Sequence, residues 1–180
     1  IFNNPLNFIN NSYIFLKKKI RSFYLSSNTY NRKITPSIIS SLDYCPSPNL
    51  LDSLIKFEKK KVNIKNYSLN KVWDKKNLME KDYKNLNSFF WLFSLDLKSS
   101  KKDTQNVILQ WIDKNHRYNS KSWEFDIVAK RIIAWTSNSR LTYEDGSTDY
   151  KENFNVLVEK QINHLINEIE RSEWVDDKMI

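Results

Sequence analysis

The sequence predicts an all-α protein, and three observations carry that reading. One glycine and four prolines in 180 residues leave too few tight-turn residues for a many-stranded sandwich or barrel. From Glu80 onward, apolar residues recur three or four apart in run after run, which is helical spacing. The connections between these runs are only a few residues long, so neighbouring helices should be antiparallel. The expected architecture is a set of antiparallel helical hairpins around a core that 40% hydrophobic content can fill.

The elements follow in order. Residues 1 to 25 set Phe8, Ile9, Ile14, Phe15, Leu16 and Phe23 around Lys17-Lys18-Lys19. This predicts an amphipathic helix, either packed on the rest of the fold or lying on a membrane surface. Residues 26 to 48 are rich in Ser, Asn and Thr, hold three of the four prolines and have no period, which predicts a connector running over the surface. Ser47-Pro48 offers an N-cap and a first-turn proline for a short helix through Leu51, Leu54, Ile55 and Phe57. Near residues 60 to 70, Val62, Ile64, Tyr67 and Leu69 suggest alternation with polar neighbours, hence a short irregular or β-hairpin segment.

Four helices then make up the main array. The first carries Leu86, Phe89, Phe90, Phe93 and Leu97. The second begins at Ser100, with Asp103 three residues on in a capping-box arrangement, and carries Val107, Ile108, Trp111 and Ile112. In the third, Trp123 to Arg140, Phe125, Val128, Ala129, Ile132 and Trp135 share one face, with Glu124, Asp126, Lys130 and Arg131 adding polar groups at its flanks. The fourth starts near Thr148 or Asp149 and carries Tyr150, Phe154, Leu157, Val158, Ile162, Leu165, Ile166 and Ile169.

The formal net charge of +8 raises nucleic acid or another polyanion as a partner. Residues 1 to 80 hold 14 Lys or Arg against 5 Asp or Glu, whereas residues 81 to 180 hold 15 against 16. The helical array is therefore close to neutral, the excess belongs to lysine runs that read as solvated surface, and no nucleic acid is expected. Cys45, the one cysteine, excludes an internal disulfide and any cysteine-based metal site. No window approaches the ~18 apolar residues of a membrane span. Without a glycine-rich phosphate loop, an HExxH pair, a nucleophile elbow or a Cys/His cluster, neither cofactor nor metal is expected. The chain begins at Ile1 and stops at Met179-Ile180 inside a polar, helix-like run, so it reads as a fragment. A missing signal peptide then carries no information about export.

Three residues carry both a functional and a structural reading. His116, in Asn115-His116-Arg117-Tyr118, is either a proton carrier or a cation favoured by a helix C-terminus. Arg131 could grip a carboxylate or sulfate with its planar fork, or form a structural pair with Asp126 or Glu124. Trp123, at a loop-to-helix junction, could stack on a sugar ring or fill the core; Trp91, Trp111 and Trp135 read as core. His164, in mid-helix beside Leu165, reads as structural.

The order Val72-Trp73-Asp74, Leu86-Asn87-Ser88-Phe89-Phe90-Trp91-Leu92 with Asp96-Leu97, Trp111-Ile112, Trp123-Glu124-Phe125-Asp126, Ala129-Lys130-Arg131-Ile132-Ile133-Ala134-Trp135 and Gln161-Ile162-Asn163-His164-Leu165 resembles the N-terminal region of the heparinase II/III family, best known from alphaproteobacterial members. The match covers roughly residues 48 to 172. It implies an (α/α) toroid followed by a β-sandwich domain, and polysaccharide lyase chemistry by β-elimination at a uronic acid. Residues 1 to 47 would be a basic helix and connector, and residues 48 to 180 the first part of the toroid. The implied partners are an acidic polysaccharide or oligosaccharide and the remaining part of the same protein. The family's catalytic residues lie further along, so no catalytic residue is assigned. His116, Arg117, Trp123, Arg131 and Asn138 are the candidate substrate contacts. The resemblance implies a bacterial protein and leaves periplasm, cell envelope and cytoplasm open. The alternative is a non-catalytic helical module that binds polyanions or serves as a scaffold.

Overall fold

The computed structural model describes residues 5–37, 73, 79–95 and 101–169, and among these every regular element is helical. The all-α expectation holds. The candidate helix after Ser47-Pro48, the candidate hairpin near residues 60 to 70, and Cys45 lie outside the described residues.

Helix α1 spans Pro5–Leu25 and has its proline in the first turn, where the missing N–H costs nothing. It gives way at Ser26 and Ser27. The Ser26 hydroxyl bonds back to the carbonyls of Ser22 and Phe23, and the Ser27 side chain accepts the Tyr30 N–H at 3.2 Å. The second of these caps α2, Asn28–Ile34. A connector was expected over this stretch, and the structure corrects it. Tyr30 and Ile34, four residues apart, both reach complete burial and belong to the same core as the later helices.

Helix α3 spans Glu80–Ser88 and ends where Phe89 takes a left-handed conformation (φ 58°), after which Phe90–Ser94 form a 3-10 turn. One continuous helix through Leu97 was expected; the break at Phe89 corrects that. The left-handed region costs a non-glycine residue about 1–2 kcal/mol. Burying a Phe side chain contributes about 1.5–3 kcal/mol, so burial can offset the strain. The Phe89 ring meets Trp73, Trp91, Trp111 and Trp135 at centroid distances of 5.4, 5.4, 6.0 and 5.1 Å.

Helix α4 (Lys101–Asn115), α5 (Phe125–Ser137), the single turn α6 (Ser139–Thr142) and α7 (Thr148–Ile169) complete the array. Trp123 bonds to Asn115 and Trp111 meets Trp135, which joins α5 to α4 through side chains. Gln161 meets Arg131 while Phe154 meets Trp135, so α7 runs back along α5. The pair α5 and α7 is thus antiparallel.

Helix α5 lies at the centre, against α3, the 3-10 turn, α6 and α7. Packing on several sides makes its buried face wider than one stripe. Val128, Ala129 and Trp135 are buried as their spacing predicts, and Ile127, Arg131 and Ala134 are buried with them. Five of the six tryptophans lie in or against this one core. At α7, Ser147 bonds to the Tyr150 N–H and the helix starts at Thr148, as expected.

Candidate functional site

The loop from His116 to Glu124 holds three of the candidate residues and is built around Asn119. The Asn119 side-chain oxygen accepts the N–H groups of Lys121 at 2.9 Å and Ser122 at 3.3 Å, and its carbonyl accepts the Trp123 N–H at 2.8 Å. This turn swings the Trp123 indole inward. There its Nε1 donates to the Asn115 carbonyl at 3.0 Å and closes the C-terminal end of α4. Ser122 adds a hydrogen bond to the Asn115 side chain at 2.9 Å. Trp123 is thus a core residue that caps a helix, and at 1% exposure it presents no face to a sugar.

His116 and Arg117 point the other way and are exposed. The His116 ring bonds through Nδ1 to the Asp113 carbonyl at 3.1 Å, which holds it beside the last turn of α4. Arg117 donates to the Asn28 side chain at 3.2 Å and so ties this loop to the start of α2. Beneath them Lys160 of α7 donates to the His116 carbonyl, a cation at a helix C-terminus. Burial, and then the neighbouring Arg117, lower the Lys160 pKa to about 8. Lys114 and Lys121 are also exposed on this stretch. The surface is basic and suited to carboxylate or sulfate, with Arg117 as the planar donor.

Arg131 lies in the interior at 0% exposure. Its Nε donates to Gln161 Oε1 at 3.1 Å, and its Nη1 donates to the carbonyls of Asn87 at 2.9 Å and Ser122 at 3.0 Å. The guanidinium lies 4.0 Å from the centre of the Trp111 ring, and Trp111 in turn donates to the Asn87 side chain at 2.8 Å. Neither structural pair considered for it forms: Asp126 pairs with Lys130, and Glu124 with Lys84. Burial lowers the Arg131 pKa to about 9. The side chain gathers backbone carbonyls from the end of α3 and the loop before α5, and its fork is not offered to a ligand.

Asn138 sits at the other end of α5, where it caps that helix with a 2.8 Å bond from its side-chain amide to the Ala134 carbonyl. The length of α5, about 20 Å at 1.5 Å per residue, separates it from His116 and Arg117. The five candidates therefore do not converge. The structure brings His116 and Arg117 together on one surface, buries Trp123 and Arg131 beneath it, and leaves Asn138 at the far end of the bundle.

Sequence reasoning missed Lys160 and a second polar cluster. Tyr30 O–H meets His164 Nδ1 at 2.9 Å inside the core. His164 also lies against Trp123 and Tyr118, at 5.4 and 5.5 Å between ring centres. The local pattern gives no warning, because Tyr30 sits in a polar stretch 134 residues away. Among the described residues no group of three His, Cys, Asp or Glu side chains is placed to hold a metal ion, and no helix is long and apolar enough to cross a membrane. Compared with family models, with curated proteins and with solved structures, the chain gives no match.

Proposed function

We propose that this chain is the N-terminal helical part of a heparinase II/III-like polysaccharide lyase, in which it forms one wall of an (α/α) toroid. In that reaction a donor neutralises the uronate carboxylate, a base removes the C5 proton, and an acid protonates the departing glycosidic oxygen. None of these roles is assigned to a residue of this chain. The residues proposed to contact the acidic saccharide are His116 and Arg117, on the basic loop after α4.

The observation that supports this reading is where the resemblance-bearing residues fall. Trp73, Trp91, Trp111, Trp123 and Trp135, with Arg131 and His164, meet in or against one helical core. A toroid is built from helical hairpins, and α5 and α7 supply one antiparallel pair of that kind.

Two measurements test the proposal. This chain alone should release no unsaturated uronate ends, followed by ultraviolet absorbance, from heparan sulfate or alginate; the same chain extended by its downstream sequence should release them from at least one uronate polymer. In calorimetric titration with a uronate oligosaccharide, Arg117→Ala should weaken binding roughly tenfold, the scale of one lost charge-assisted hydrogen bond. Cleavage by this chain alone, or an extended protein inert on every uronate polymer, overturns the assignment.

A further inference from the structure

Helix α1 presents an apolar seam to solvent. Tyr13, Leu16, Ile20 and Phe23 are 66, 56, 62 and 80% exposed. Their spacings of three, four and three residues continue backward in the sequence to Ile9 and Leu6 at four and three. That alternation is the a/d repeat of a helix that packs against another helix. A helix that packs on a globular core also takes an e or g position into its apolar stripe, whereas here the flanks beside Leu16 and Ile20 are Lys17 and Lys19; a strict a/d stripe is the narrower seam of a coiled coil. Phe15 and Ile14 lie off the seam and do not widen it into one continuous face.

Charge specifies the kind of partner. Lys17 and Lys19 occupy the e and g positions that flank the seam on either side, Lys18 follows the same turn, and α1 contains no acidic residue. A second copy of α1 would set one lysine run beside another without a single carboxylate between them. A helix with carboxylates beside its own apolar seam would pair with both flanks. The base of α1 is fixed to the fold: Arg21 is paired with Glu168 of α7 and lies 5.0 Å from the centre of the Tyr24 ring, while Leu25 is in the core. The C-terminal end of the seam is thus anchored to the fold, while Tyr13, Leu16, Ile20 and Phe23 stay exposed.

We propose that α1 is a docking helix for an acidic amphipathic helix of another protein, which it receives along Tyr13, Leu16, Ile20 and Phe23 with Lys17 and Lys19 closing the two edges. The test uses a synthetic three-heptad peptide with Ile and Leu at a and d and Glu at e and g. Its twin carries Lys at e and g. Anionic phospholipid vesicles form the third arm, and sedimentation of the protein alone the fourth. The acidic peptide should bind at least tenfold more tightly than its basic twin and weaken with added salt. L16E/I20E should abolish binding while leaving the thermal midpoint unchanged, because both side chains are exposed. Equal affinity for the two peptides, no affinity for either, binding to vesicles alone, or self-association that L16E/I20E abolishes each overturns the proposal.

Discussion

Protonation of His164 should make the fold sensitive to mild acid. The ring is 3% exposed and held between Tyr30, Trp123 and Tyr118. Burial is the main cause that lowers its pKa, from 6.5 to about 4; a hydrogen bond to the Trp123 backbone opposes the shift, and the charges of Arg131 and Arg21 add to it. Burial also raises the Tyr30 phenol above its ordinary value, so the phenol keeps its proton and donates it to the neutral ring.

The sign follows from which state binds the proton. Below pH ~6.5 the unfolded chain takes up a proton that the folded chain refuses. His164 therefore leaves stability intact above pH ~6.5, drains it as the pH falls towards about 4, and has no further effect below that. The gap between the two pKa values corresponds to roughly 3 kcal/mol at ~1.4 kcal/mol per unit. For a protein of this size that lowers the thermal midpoint by on the order of 10 °C. The measurement is urea and thermal unfolding from pH 7.5 to 4.5, for the parent and for His164→Gln, which keeps an acceptor for Tyr30 and does not titrate. The Gln variant should be less stable at pH 7.5 and nearly flat between pH 6.5 and 5. A Gln variant with the parent's slope would refute the reasoning, because carboxylates common to both proteins would then carry the whole effect.

Two further outcomes follow from the packing. Arg131→Ala strands three acceptors, the Gln161 side chain and the Asn87 and Ser122 carbonyls, and opens a space beside Trp111. It should cost about 3–5 kcal/mol in chemical denaturation, and a loss under ~1 kcal/mol would show that the network contributes little. Phe89→Ala should cost about 3–5 kcal/mol. Because residue 89 is left-handed, Phe89→Gly should be the more stable of these two variants by about 1 kcal/mol, the reverse of the usual helix order; equal or inverted midpoints would mean that the backbone relaxes once the ring is gone.

Elements whose order is written locally were legible in the sequence. The start of α7 needs only Ser147, Thr148 and an apolar period, and the burial of Trp111 and Trp135 needs only their place on a helical face. Helix α2 was hidden because only two of its seven residues are buried, too few to set a period in a stretch otherwise full of turn formers. The break at Phe89 was hidden for a different reason. A left-handed residue is ordinarily announced by glycine, and here an aromatic residue occupies it because four indole rings receive its side chain.

The candidate site divides along the same line. Helical spacing placed Arg131 at the edge of one apolar face, which is correct for a helix buried on one side. Because α5 is covered on several sides, an edge position becomes an interior one, and the guanidinium joins carbonyls that α3 and the loop before α5 bring to it from 44 and 9 residues away. The reversal at Trp123 is set closer by. Asn119 turns the loop so that the indole goes inward to the Asn115 carbonyl, and the same turn leaves the His116 and Arg117 side chains outside, tied by the Asp113 carbonyl and the Asn28 side chain, with Lys160 on the His116 carbonyl. An interior aromatic anchor under an exposed basic edge can hold that edge in place without touching what binds there. If the loop binds an acidic saccharide as proposed, replacing Trp123 should act on that binding through the position of the loop, whereas replacing Arg117 should act on it directly and leave the fold unchanged.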